Sequence, residues 1–303
     1  MRKRIEIVEV AARDGLQNER ILFDAAQKIA LIERMVAAGA KRLEVASFVR
    51  ADRVPQMADA ETVIAGLSLP ADVVTVGLVM NKKGLLRALD TTIMEIGAVC
   101  VATDSFARRN QGQTSMESVD MAADVIRFAK SQGRRAQVTI GAAFGCPFEG
   151  EVDLAHVVAM ACRLAEAGPM EIALADTIGV AVPAHTFALV AAVRAAVSPI
   201  PVRVHLHNTR NTGIANAWAA VEAGATTLDS ALGGIGGCPF APRATGNIAT
   251  EDLIYLLDRS GVASGYDLPQ TIEAAAWLSG QMSRELPGLV SRAGPFPPPA
   301  NPA

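Results

Sequence analysis

Aromatic side chains are scarce, at 4% of the chain, so a surface built to stack nucleobases is not expected. A basic excess is also missing. The 28 Lys and Arg stand against 31 Asp and Glu, a formal net charge of −3, which argues against the basic face of a nucleic-acid binder. The four cysteines, Cys100, Cys146, Cys162 and Cys238, are widely spaced and form no CxxC pair. Neither a zinc knuckle nor a disulfide framework is indicated, and a reducing compartment fits best. No apolar run is long and uninterrupted enough to read as a membrane span. Met1-Arg2-Lys3-Arg4 runs directly into a strand-like segment, with no apolar core of a signal peptide and no Ser-rich transit segment. The expectation is a cytoplasmic protein.

Half of the 303 residues are hydrophobic, enough for one large core. Apolar β-rich runs alternate with helical patterns. Strands are expected at Ile5–Val10, Arg42–Ser47, Val73–Met80, Ile93–Ala102, Ala136–Ala143, Glu171–Asp176, Pro201–His207 and Thr226–Leu232. Between and after them, helices are expected at Asp24–Ala38, Gly84–Asp90, Ser118–Lys130, Leu154–Ala167, Ala184–Ala196, Gly213–Glu222 and Glu251–Asp258. Gly39 reads as a helix stop. About eight βα units match a (β/α)₈ TIM barrel in number and length. A doubly wound open sheet is the alternative, but no Gly-rich dinucleotide fingerprint follows the first strand. Helix Gln270–Met282 is extra to the barrel, giving a barrel domain over residues 1–286. The Pro-rich tail, residues 287–303, is expected to be disordered.

Chemistry in a TIM barrel sits where strands run into βα loops, and the unusual polar residues fall there. Arg13 and Asp14 follow the first strand, and Glu44 and Ser47 lie on the second. Asp176 ends the sixth, His205 and His207 end the seventh, and Cys238 and Asn247 follow the eighth. In His205-Leu206-His207, side chains two apart share a face, so both imidazoles are expected toward the barrel axis. One reading is two core histidines satisfied by backbone groups. The other is a pair of ligands for a divalent metal. Asp14, across the barrel from them, is then available as a carboxylate and Asn247 as a carbonyl oxygen. Such a mixed N/O set suits Mg²⁺ or Mn²⁺ more than structural zinc.

Arg13 beside Asp14 is either a surface ion pair or a guanidinium placed to stabilise an enolate oxyanion. For both to reach one site the chain must be turning, and Asp14-Gly15 is a turn signal. Cys238 ends Gly233-Gly234-Ile235-Gly236-Gly237. It reads either as a small buried hydrophobe or as a thiol that moves a proton when a Gly-rich loop closes. The loop lacks the Lys-Ser/Thr of a phosphate-binding loop.

Several segments together resemble the 3-hydroxy-3-methylglutaryl-CoA lyase family of metal-dependent DRE-TIM lyases. They are Val8–Glu19, Glu44–Val49 with Val54–Met57, Gly145–Gly150, Asp176–Val180, His205–His207, Gly236–Pro239 and Gly246–Leu253. They run in register from about Ile5 to Asp267. The resemblance implies a TIM barrel that cleaves a carbon–carbon bond in 3-hydroxy-3-methylglutaryl-CoA, with acetoacetate and acetyl-CoA as products, and a place in leucine catabolism. It implies Asp14, His205, His207 and Asn247 as ligands of Mg²⁺ or Mn²⁺. Arg13 matches the enolate-stabilising arginine, Cys238 the catalytic loop cysteine, and Glu44 and Asp176 catalytic-site carboxylates. Ser47 matches a polar neighbour of the substrate, and Arg20 stands where the family often has a lysine near the CoA phosphates. Gln17 and Arg243 complete the expected substrate contacts, and a homodimer is the expected assembly.

The chain departs from the family pattern in places. His207 is followed by Asn208-Thr209-Arg210 rather than Asp-Thr-Tyr, Ala173 replaces a serine, and Arg243 replaces a glycine. Added cations near the rim suit a different acyl carboxylate or a CoA phosphate. A lyase for another 3-hydroxyacyl-CoA and a Claisen-condensing relative are therefore the competing readings. A non-catalytic CoA- or metal-binding barrel is a third.

Overall fold

The structure, a computed structural model, describes residues 3–237 and 246–297. Eight strands, all parallel, close on themselves in chain order. They are β1 (Glu6–Glu9), β2 (Arg42–Ser47), β3 (Val74–Val79), β4 (Glu95–Val101), β5 (Arg135–Gly141), β6 (Ile172–Asp176), β7 (Val202–Leu206) and β8 (Thr227–Ser230). Each strand has a neighbour on both edges, β1 pairing with β2 and with β8, so no edge is left open.

Helices α1 (Ala25–Ala37), α2 (Ala60–Gly66), α3 (Lys82–Leu89), α4 (Asp104–Gln111) and α5 (Ser115–Ser131) surround the first half. Helices α6 (Leu154–Ala165), α7 (Pro183–Val197), α8 (Gly213–Ala223) and α9 (Thr250–Arg259) surround the second. The expected strands lie where the sequence places them: β2 keeps its expected bounds, β5 begins one residue early at Arg135, and the other ends are trimmed by up to two residues. Helix α1 begins at a capping box, with Asp24 accepting from the Gln27 N–H and the Gln27 side chain returning to the Asp24 N–H. It ends at Gly39, whose φ of 110° is open to glycine.

Two features differ from the sequence expectation. The short helices α2 and α4 were not foreseen. Only Phe106 and Ala107 of α4 are buried, which is too little for a periodic apolar stripe. The tail does not become structureless at Pro287. After α10 (Leu268–Met282) comes α11 (Val290–Ala293), and the Asp252 carboxylate accepts from the Leu289 and Val290 N–H groups at its start. The described residues contain no helix long and apolar enough to cross a membrane.

The lower barrel interior is charged. Arg42 is 1% exposed; it pairs with Glu95, with Glu6 at 2.9 Å and with Glu171 at 3.0 Å. This layer closes the barrel below the cavity. Pairing is what allows such charges to be buried, and removing one partner alone is costly.

Outside the barrel wall, Glu9 fastens the β8 exit. Its Oε1 accepts from the Ala11 and Leu232 N–H groups at 2.8 and 3.0 Å, and its Oε2 from the Thr250 hydroxyl at 2.6 Å. Burial is the largest influence on this carboxyl and pushes its pKa from 4.5 up to about 7. The folded state therefore binds the proton more tightly than the unfolded chain. The stabilisation is complete below pH 4.5 and is lost as pH rises through about 7. Glu9→Gln is expected to remove this dependence. The stability difference between variant and wild type should shift in the variant's favour by about 3 kcal/mol from pH 4.5 to pH 8. Urea unfolding at both pH values checks it, and a pH-independent difference would count against it.

Candidate metal centre and acyl cavity

A single π-helical turn over Ala11–Gly15 follows β1. Such turns carry an extra residue and recur at functional sites. This one brings the adjacent Arg13 and Asp14 side chains to the same cavity, which a continuing strand does not allow. Gly15 is required by close approach: a Cβ there would lie 2.7 Å from Ile235 Cγ1.

Arg13 is almost wholly buried. Its Nη1 donates to Asp14 Oδ1 at 2.7 Å and its Nη2 to Glu44 Oε2 at 2.5 Å. Glu44 reaches the cavity beside a register shift in β2 between Glu44 and Ala46. Gly97 keeps that side open, since a Cβ there would be 3.0 Å from Gln137 Nε2 and 3.7 Å from Glu44 Oε1.

Strand β7 alternates as expected, directing Arg203, His205 and His207 to the same cavity. His205 Nε2 lies 3.9 Å and His207 Nε2 4.0 Å from Asp14 Oδ2. Asp14 is not across the barrel from them. Closure puts β8 alone between β1 and β7, which is why the carboxylate reaches both rings. Asp14, His205 and His207 each offer a ligand atom, all within 4.8 Å of one another. Asn247 joins through a bridge to His207, and its Nδ2 donates to Asp14 Oδ2 at 2.9 Å. Gly236 makes room, because a Cβ there would lie 2.7 Å from Asn247 Nδ2.

These residues fit a divalent cation on the structure's own terms. Among the described residues, the buried Asn247 Oδ1 has no hydrogen-bond partner, an expensive state. Burial alone would raise the Asp14 pKa, but Arg13, the two imidazoles and the Asn247 amide outweigh it and hold the carboxyl far below the usual range. Burial and the neighbouring His205 push His207 down to about 4, which favours the neutral, ligating form.

One further residue, which no motif or spacing along the chain singles out, backs this cluster. Asp229 of β8 accepts from His205 Nδ1 at 3.1 Å, leaving Nε2 directed toward Asp14. A carboxylate behind a ligating imidazole fixes its tautomer and orientation. Its only sequence signal is an acid in the middle of an apolar strand.

The cavity holds about 180 Å³, small for a whole cofactor-sized ligand. Leu78, Met80, Val99 and Phe106 give it an apolar wall facing Arg13, Glu44, Asp229 and the imidazoles. Gln17, Asn18, Asn110 and Gly237 also line it.

Other expected residues stand elsewhere. Asp176 is fully buried but does not line the cavity. Its two oxygens accept from the Val180 and Ala181 N–H groups at 2.9 and 3.0 Å, so it shapes the β6 loop. Ser47 is buried behind Gln17, to which it donates at 3.2 Å. Arg20 is exposed and outside the cavity lining. Arg210, expected as a free rim cation, donates to the Ile178 and Gly179 carbonyls at 3.0 and 2.8 Å. Cys238 and Arg243 lie outside the described residues.

The HMGL-like family model matches residues 4–278. A (R)-citramalyl-CoA lyase of Chloroflexus aurantiacus is 44% identical, over 97% of this chain and 96% of its own. A 3-hydroxy-3-isohexenylglutaryl-CoA/hydroxy-methylglutaryl-CoA lyase of Pseudomonas aeruginosa is 36% identical, over 90% and 91%. Among solved structures, an HMG-CoA lyase of Acinetobacter baumannii in complex with coenzyme A and 3-methylmalate superposes with a TM-score of 0.93. It is 34% identical, over 99% of this chain and 98% of its own.

Asp229→Asn is expected to lower affinity for Mn²⁺ by about 10- to 100-fold, with the circular-dichroism spectrum unchanged. Calorimetric titration of Mn²⁺ into wild type and variant measures this. Equal affinities would mean that Asp229 does not orient His205.

Proposed function

The chain belongs to the HMGL-like family, and we propose that it is a divalent-metal-dependent lyase that cleaves citramalyl-CoA to pyruvate and acetyl-CoA. The observation that carries the reaction type is the convergence of Asp14, His205 and His207 beside the Arg13 guanidinium. The choice of substrate is supported by the 44% identity to a lyase of that name, against 34–36% for relatives named for hydroxymethylglutaryl-CoA. Those relatives keep hydroxymethylglutaryl-CoA, the substrate implied by the sequence resemblance, as the second reading. The two acyl groups differ by one methylene between the carbinol carbon and its carboxylate.

Asp14, His205, His207 and Asn247 would hold the cation, and their mixed N/O donors suit Mg²⁺ or Mn²⁺. When bound, it supplies the Lewis acidity that lowers the pKa of the substrate hydroxyl. The remaining work belongs to the chain's own groups. Glu44 is the preferred base: burial raises its pKa against the pull of Arg13, whereas Asp14 is held too low to take a proton well.

Loss of the hydroxyl proton lets the C3–O bond become a carbonyl as the C2–C3 bond breaks. The electron pair passes to C2 and the thioester oxygen, and the Arg13 N–H groups stabilise that enolate. A proton delivered to C2 completes acetyl-CoA. Cys238 is proposed as its donor, being covalently next to Gly237, which lines the cavity.

An assay for acetyl-CoA release, run on both thioesters, tests this reading. Chelation is expected to abolish turnover, and Mg²⁺ or Mn²⁺ to restore it. Full activity after metal stripping, or no cleavage of either thioester, would refute it. Arg13→Met is expected to lower kcat by about 10²- to 10³-fold with a much smaller change in KM; a change confined to KM would remove Arg13 from enolate stabilisation.

A further inference from the structure

Beneath the metal-binding residues lies a cation the reaction does not use. Arg203 is 4% exposed and lines the cavity. It sits two residues before His205 on β7, hence roughly 7 Å further down the barrel. Its side chain runs sideways. Register places Thr139, Ala173 and Arg203 side by side on β5, β6 and β7. Nη2 donates to Gln137 Oε1 at 2.8 Å and Thr139 Oγ1 at 3.2 Å, so the guanidinium spans the strand between. Ala173, with only a methyl group, leaves the room for that span. Nε lies 3.6 Å from Glu171 Oε2 and 3.5 Å from Asp229 Oδ1. Glu171 Oε2 is also held by Arg42, so the next layer down is already sealed.

We propose that Arg203, laid across Ala173 onto Thr139 and Gln137, is the floor of the acyl cavity and sets the length of acyl group that it accepts. The bulky CoA moiety must stay at the open rim, among Gln17, Asn18, Asn110 and Gly237, because the barrel below Arg203 is filled. The far end of the acyl group therefore meets the floor. The paired residues matter together: a larger side chain at position 173 would compete with the guanidinium for the same space. This inference rests on the lyase reading only in needing two cleavable thioesters that differ in length.

The test is the ratio of kcat/KM for hydroxymethylglutaryl-CoA to that for citramalyl-CoA, measured in wild type, Arg203→Ala and Arg203→Lys. Removing the floor is expected to raise the ratio for the longer acyl group by at least about tenfold in Arg203→Ala, since one methylene is commonly worth 10- to 200-fold. Arg203→Lys keeps a positive charge between Glu171 and Asp229 but loses the planar fork, and a smaller shift in the same direction is expected. Because both substrates are run on one preparation, a reduced folded fraction cancels from the ratio. An unchanged ratio in both variants would overturn the proposal. So would a proportionate loss on both substrates in folded protein, which would make Arg203 a prop for Asp229 and His205 instead. Failure of wild type to cleave either thioester would overturn the lyase reading, a result distinct from these.

Discussion

Buried charge is the constraint around which this barrel is organised. Three guanidiniums, from Arg13, Arg42 and Arg203, lie inside it with the carboxylates of Asp14, Glu44, Glu95, Glu171 and Asp229. Charges taken out of water persist only when paired and hydrogen-bonded. The pairs form a continuous series up the axis: Arg42 shares Glu171 with Arg203, Arg203 reaches Asp229, and Asp229 holds His205. Carboxylates outnumber guanidiniums in this set. A divalent cation among Asp14 and the imidazoles would offset that excess, so the same electrostatics that burden the fold would favour a metal centre there.

The wall opposite is apolar, and the proposed mechanism gives that division a use. An enolate is stabilised where donors are fixed in advance and water is kept away. Arg13 is fixed by two carboxylates at once, so in the proposed mechanism it would need no further ordering during the reaction. The loop glycines contribute on the other side by letting backbone and Asn247 approach closely around Asp14.

Strand positions were legible because buried parallel strands are short apolar runs between helical stretches, and β2 falls on its expected residues. Helix α4 was not, because its surface is nearly all polar and only Phe106 and Ala107 are buried. At the site, alternation was enough to align His205 with His207, and the strand-end rule was enough to select Asp14. The same rule also selected Asp176, but lying at a strand end says nothing about where the oxygens turn, and here they turn to the backbone of the following loop. Asp229 and Arg203 escaped notice for a related reason. Each lies within an apolar strand, and its significance comes from partners on other strands, which register supplies and spacing along the chain does not.

The π-helical turn at Ala11–Gly15 carries a consequence for how this chain can vary. An α-helix advances about 100° per residue, and the wider turn accommodates one residue more than an α-turn. Losing one residue from this stretch would restore ordinary winding and swing Arg13 and Asp14 to different bearings. The segment is accordingly as closed to shortening as Arg13, Asp14 and Gly15 are to exchange, so its length, as much as its composition, is what inheritance must preserve there.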